Sequence, residues 1–257
     1  MHIENSWEDF KKYWNATAPL DNSTVQVEKI LKEHPFFLQA LSLSKFGFCV
    51  IDIKKMQYLH VSSNAYEITG WPNDEYMKGG VQFAFSALMP ESQHGMIRFS
   101  QLINEYFKKL PNHDKINYRC YWDYQINSPT GVKTLLQQDY VLNYDDEGHI
   151  TILLAICMDI RNYKSDKCLH LRLTNGIENL VYEFGLANNV LTELEPLSKR
   201  ELEIAQLINK SNDSTSIAKS LNISLHTVNT HRRNMLDKLH VRDSLEMSNL
   251  LKVLGFL

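Results

Sequence analysis

The chain has 257 residues, a formal net charge of -3, and 44% hydrophobic against 22% charged residues, the composition of a folded chain and not a disordered one. No run of eighteen apolar residues occurs, and the opening Met-His-Ile-Glu-Asn-Ser-Trp has neither the positive flank nor the apolar stretch of a secretory signal. The expectation is therefore a cytoplasmic location with no membrane partner. The four cysteines, Cys49, Cys120, Cys157 and Cys168, form no Cys-x-x-Cys pair and are expected to be reduced and structural.

The first 35 residues read as helical. Trp7, Phe10 and Trp14 recur at helical spacing, and a second apolar face through Val27, Ile30 and Leu31 follows a Ser23-Thr24 cap and stops before Pro35. Such helices pack on their own domain or pair two copies. Residues 46–53 and 58–61 read as strands around a turn at Lys54-Lys55, 64–70 as a short helix closed by Gly70, and 91–109 as a longer helix. From Ile116 to Ile126 apolar and polar residues alternate, which marks a half-buried antiparallel strand. Turns at 128–131 and 145–148 then separate two further strands, 133–144 and 150–160.

Two strands, a helical middle and three long strands form an order that resembles a PAS domain. The likeness rests on Asn-Ala-Tyr-Glu-Ile-Thr-Gly-Trp at 64–71, Leu-Met-Pro-Glu-Ser at 88–92 and Met-Asp-Ile at 158–160. Ser92 and Arg161 stand where that family often has Asp and Thr. The resemblance implies a five-stranded antiparallel sheet over 39–163, preceded by a helical segment over 1–38. After it, Leu169, Leu171 and Leu173 alternate up to Asn175-Gly176, and Leu180, Tyr182 and Phe184 alternate beyond it. Asn-Gly between alternating runs predicts a β-hairpin, read here as a linker over 164–194.

The last part, 195–257, reads as four helices. It holds nine Lys and Arg against seven acids, a net of +2, which leaves -5 on the rest. Ser198-Lys-Arg-Glu201 is a capping box; Ser214 is a candidate cap for a second helix and Ser224 for a third, and a fourth runs to about Leu254 before Gly255. In the third helix Val228, Met235, Leu236 and Leu239 form an apolar stripe with His231 at its edge, while Asn229, Thr230, Arg232 and Arg233 project elsewhere. Short polar and Arg side chains near the start of a helix suit a major groove, where Asn pairs with adenine and Arg with guanine.

Three stretches, Leu-Ser-Lys-Arg-Glu-Leu-Glu-Ile at 197–204, the run 216–231 and Leu-Asp-Lys-Leu-His-Val at 236–241, resemble the LuxR/FixJ-type helix-turn-helix. By that resemblance Asn229, Thr230 and Arg233 read bases, Thr227, His231, Arg232 and Lys238 lie near the phosphate backbone or support the helix, and the fourth helix pairs two protomers. Asn229 replaces a frequent Lys, so the operator preference is expected to differ; Ser211 replaces the usual Gly, and Ser216 and Ser244 the common Glu and Arg. The class is α+β: a PAS-like sheet with helices, then an all-α four-helix DNA-binding domain. The function implied is a one-component transcription regulator, not an enzyme, with double-stranded DNA, a second copy and RNA polymerase as partners.

No cofactor is assigned. A small molecule inside the PAS-like domain would meet Tyr66, Trp71, Tyr118, Trp122 and Gln138, of which Gln138 needs a hydrogen-bond partner on the face read as Leu136, Tyr140 and Leu142. Two alternatives stand beside this one. An acyl-homoserine-lactone receptor would have similar length, but that family's Trp-x-x-x-Tyr and following Asp-Pro pattern is not matched. A haem or flavin redox sensor would use His94 for haem, while the photoreactive Asn-Cys-Arg run for flavin is absent. No Walker loop, zinc spacing or Gly-x-Ser-x-Gly is present.

Overall fold

The computed structural model describes residues 6–14, 29, 33, 45–164, 168–210 and 212–257. The expected second helix around Val27, Ile30 and Leu31, and Ser211, lie outside the described residues.

Eight strands form one antiparallel sheet: β1 (Gly47–Asp52), β2 (Gln57–Val61), β3 (Arg119–Ile126), β4 (Lys133–Tyr144), β5 (Ile150–Asp159), β6 (Cys168–Thr174), β7 (Asn179–Gly185) and β8 (Leu191–Glu193), in the order β2-β1-β5-β4-β3-β6-β7-β8. The expectation of five strands is corrected on this point. β6 pairs with β3, matching Arg119 with Thr174 and Trp122 with Leu171, and β7 and β8 follow it outward. The reason is local to β3: left at the margin it would expose a row of unpaired amides and carbonyls. Leu169, Leu171 and Leu173 also find their burial on the same face as Cys120, Trp122 and Tyr124.

The inner face is covered by helices. These are α1 (Ser6–Tyr13), α2 (Ala65–Thr69), α3 (Asn73–Ala87), α4 (Pro90–Phe107) and the one-turn α5 (Asn112–Lys115). α3 bends at Gly80, whose φ of 62° falls in the left-handed region and whose missing Cβ would lie 2.5 Å from the Met56 carbonyl oxygen. α1 packs on its own chain: Phe10 lies 5.0 Å from Phe85, ring centre to ring centre, and the Trp14 indole donates to Ser100 Oγ at 3.2 Å.

The C-terminal helices are α6 (Lys199–Asn209), α7 (Ser214–Ser220), α8 (Leu225–Lys238) and α9 (Ser244–Val253). Their core is Ile204, Ala205, Ile217, Val228, Met235, Met247 and Leu251, joined from the sheet side by Val181 and Leu194. Both bonds of the capping box form: Ser198 Oγ accepts from the Glu201 amide and Glu201 Oε2 from the Ser198 amide. Ser198→Ala is expected to lower the stability of these helices by about 1 kcal/mol in chemical denaturation, against a few tenths for Ser198→Gly.

This helical unit sits on the outer face of the sheet. Val253 packs with Tyr121, Leu136 and Ile160. That contact explains why Tyr121, on the face opposite Trp122, is itself buried.

Candidate nucleic-acid interface and buried cavity

α7 and α8 meet through a tight turn. Asp213 caps α7 by accepting from the Ser216 amide at 2.8 Å, so the cap lies one residue before the expected Ser214. Asn222 takes a left-handed φ of 52°, the Ile223 amide donates to the Ala218 carbonyl at 3.0 Å, and Ser224 Oγ caps α8 by accepting from the Thr227 amide at 3.0 Å. Short polar side chains at the caps and an Asn at the left-handed corner let a connection this short reverse the chain.

α8 then divides by face. Val228, Met235 and Leu239 point into the helical core and are essentially fully buried. Asn229, Thr230 and Arg233 are exposed on the opposite side, with His226 and Asn234 beside them. The remaining expected residues do structural work. Arg232 donates to Ser214 Oγ at 2.7 Å and to Ser244 Oγ at 2.8 Å, fastening α8 to the starts of α7 and α9. Lys238 donates to Glu201 Oε2 at 3.0 Å and to the Pro196 carbonyl at 3.3 Å. Thr227 shares a hydroxyl contact with Ser224 at 2.8 Å, and His231 is half-buried at the edge of the seam. His226 and Asn234 were missed in the sequence, although each lies four residues from Thr230, the spacing that puts side chains on one helix face.

α9 does not stand clear of its own chain. Val253 and the residues after it dock on the sheet, while Leu245 near the start of the helix is 71% exposed.

Between the inner face of the sheet and helices α1 to α4 lies a cavity of about 120 Å³. Of the five residues expected around a ligand, only Trp122 lines it. Tyr66 is half exposed. The Trp71 indole donates to the Asn127 carbonyl at 2.9 Å, and the Tyr118 hydroxyl to Glu178 Oε2 at 2.7 Å. Gln138 stands on the outer face, beside Tyr121 and accepting from the Tyr140 hydroxyl at 3.2 Å. The inner face of β4 carries Leu135, Gln137 and Asp139 instead. Two apolar neighbours, Leu135 and Leu136, begin this part of the strand because each face has its own core: Leu135 meets the cavity and Leu136 meets Val253. Alternation alone therefore leaves the face of Gln138 undetermined. His94 is not among the residues lining the cavity.

The polar end of the cavity is built on β3, β4 and β5. Gln137 donates to Asp139 Oδ1 at 2.8 Å and accepts from the Tyr124 hydroxyl at 2.8 Å, with the Cys157 thiol at 3.7 Å from the same oxygen. Burial pushes the Asp139 carboxyl up to about 7, partly offset by Gln137 and by the nearby Trp122 indole. Burial likewise raises the thiol of Cys157 to about 12, so it is not a nucleophile at neutral pH. No group of three or more His, Cys, Asp or Glu able to hold a metal ion occurs among the described residues, and none of their helices is long and apolar enough to cross a membrane.

Residues 195–250 match the family described as bacterial regulatory proteins, luxR family. The chain is also similar to oxygen regulatory protein NreC of Staphylococcus carnosus, with 33% identity over 111 residues, covering 42% of this chain and 48% of that protein. To NreC of Staphylococcus epidermidis it is 31% identical over 88 residues, covering 33% of this chain and 40% of the relative. The chain thus spans less than half the length of these relatives. Among solved structures, a Vibrio cholera VqmA-ligand-DNA complex shares 16% identity over 85% of this chain and 89% of its own, with a TM-score of 0.30.

Proposed function

We propose that this chain is a DNA-binding transcription regulator of LuxR type, in which a PAS-like sensor (39–163) that holds a small molecule controls a helix-turn-helix (195–257). The observation that carries the reading is the division of α8. Arg232 and Lys238 are tied inward, and the exposed ridge that remains, Asn229, Thr230 and Arg233, has the donors and acceptors that read base edges. The family match over 195–250 supports the same assignment. A second copy of the chain and RNA polymerase are its further partners, and the cytoplasm its location.

Half-sites spaced about 34 Å apart fit a two-fold dimer of such units. The test is an operator selection on the full-length protein followed by binding measurements on the selected sequence. Arg233→Ala is expected to weaken binding by about 5- to 150-fold, equivalent to about 1–3 kcal/mol, and to relax the base preference at one position in each half-site. Unchanged affinity and unchanged sequence preference would remove Arg233 from the reading face. Arg232→Ala is expected to act differently, lowering the stability of the helical unit because two hydroxyl contacts are lost.

A further inference from the structure

A second cavity, of about 150 Å³, is bounded by α1, the C-terminal half of α4, the one-turn α5 and the turn between β4 and β5. It shares only Trp14 with the cavity beneath the sheet. Tyr13, Ile103, Phe107, Leu110 and Ile150 give it an apolar wall, and Lys115 brings a buried cation to it. Lys115 is 5% exposed, and no carboxylate pairs with it among the described residues. Asp145, whose charge reaches it, is taken by Lys54 at 3.2 Å and by His149 at 3.4 Å. The Lys115 ammonium donates instead to two neutral oxygens, Asn112 Oδ1 at 2.9 Å and the Gly148 carbonyl at 2.6 Å. Burial pulls its pKa down, and Asp145 offsets only part of that.

The turn is shaped around this ammonium. Gly148 has a left-handed φ of 82°, and a Cβ there would lie 2.5 Å from Lys115 Nζ and 2.0 Å from Asn112 Oδ1. An ammonium carries three N–H groups, and two are answered, so one donor and a desolvated charge remain at the cavity wall. Exposed Lys108 and Glu147 complete the lining, the latter 3.4 Å from His149.

We infer that this second cavity binds a small organic monoanion, a carboxylate whose oxygen accepts from Lys115 Nζ while its carbon chain lies against Ile103, Phe107 and Ile150. A carboxylate supplies the missing acceptor and the missing counter-charge together. An amide supplies the first without the second, and an amine brings a second cation to the first. An inorganic anion leaves the apolar wall unused. Size follows from the volume: a cavity of roughly 150 Å³ takes up benzene, so the ligand has about six non-hydrogen atoms. The inference goes beyond the proposed function. Neither the DNA-reading face nor the cavity beneath the sheet requires this site, so its failure leaves both standing.

Butyrate, butyramide, butylamine and inorganic phosphate are titrated into the full-length protein at neutral pH, in a buffer free of other carboxylates, reading the heat of binding and the melting temperature. Butyrate is expected to raise the melting temperature and to bind at least about tenfold more tightly than butyramide, as a hydrogen bond to a charged group allows. Lys115→Gln, which keeps a donor for the Gly148 carbonyl, is expected to bring that ratio to about one. Leu110→Trp, which keeps the ammonium and fills the cavity, is expected to abolish binding of both. Butyramide matching butyrate, or a ratio unchanged in Lys115→Gln, would overturn the role of the ammonium. Phosphate binding more tightly than butyrate would overturn the organic class, and butylamine doing so the anionic one. Undiminished butyrate binding by Leu110→Trp would place the site elsewhere, and binding of none of the four would remove the inference.

Discussion

Between pH 4 and pH 7 the wild-type protein is expected to lose up to about 4 kcal/mol of stability that Asp139→Asn does not lose. The direction follows from which state holds the proton. Burial raises the folded carboxyl from the ordinary 3.8 to about 7. In that interval the unfolded chain is already ionised at Asp139 while the folded chain still carries a proton there. Folding then binds a proton, and stability falls as pH rises until the folded group ionises as well. Its contribution is complete below about pH 4 and gone above about pH 7. Other carboxylates tilt the curve the opposite way. Burial alone would raise Asp123, but the Lys164 ammonium and His170 more than offset it and hold that carboxyl low, so its contribution is lost on acidification. The measurement is therefore a difference: urea unfolding of wild type and Asp139→Asn at pH 5 and pH 8. The gap between the two is expected to move in favour of the variant by about 2–4 kcal/mol on going to pH 8. A gap that does not change with pH would mean that the carboxyl is solvated or neutralised by a group not now beside it.

The same residue shows where the sequence stops being readable. Asp139 lies in a strand that also contains Gln137 and Gln138, and alternation gives two polar sets without saying which faces inward. The answer depends on Val253, more than a hundred residues later, covering Leu136 and making the outer face apolar there. The C-terminal helices were legible for the opposite reason. Caps are made by residues three apart, as with Ser198 and Glu201 or Ser224 and Thr227, so their chemistry is complete within a few residues. Even there, the inward ties of Arg232 and Lys238 could not be read. Their partners, Ser214, Ser244 and Glu201, are 12 to 37 residues away, and an Arg-Arg pair on a polar face looks the same in sequence whether one or both reach solvent. Strand β6 illustrates a third case. Its alternating leucines announce a strand, but its place beside β3 follows from the need to close an open edge, which no local pattern records.

Arg172→Ala is expected to release the C-terminal helices from the sheet. Arg172 points out of β6 on the face opposite Leu171 and Leu173, and it is buried although no carboxylate pairs with it among the described residues. Burial lowers its pKa to about 10, partly offset by Tyr121, so it remains a cation at neutral pH. The cation is held by what surrounds it. Nε and Nη2 donate to Asn179 Oδ1 at 3.0 and 2.6 Å, Nη1 donates to the Leu254 carbonyl, and the guanidinium stacks 3.8 Å from the Phe256 ring and 5.3 Å from that of Tyr121. Leu254 closes α9, so the carbonyl it offers is one of those a helix end leaves unpaired, at the negative end of the helix dipole. One charge-assisted hydrogen bond and a desolvated cation–π contact together amount to about 3–5 kcal/mol of docking energy. A second tie, Glu183 between His170 and His240 at 3.6 and 3.3 Å, is weaker and partly open to water. Removing the first should therefore leave the helical unit folded on its own core but free to move. Small-angle scattering is expected to show a larger radius of gyration for Arg172→Ala, and hydrogen exchange faster amides over 253–257 with those of Ile204 and Met235 unchanged. Arg172→Lys, which keeps the charge but not the planar fork, should fall between the two. If the variant kept the wild-type radius and exchange pattern, the apolar packing of Val253, Val181 and Leu194 and the Glu183–His240 contact would suffice to hold the helices.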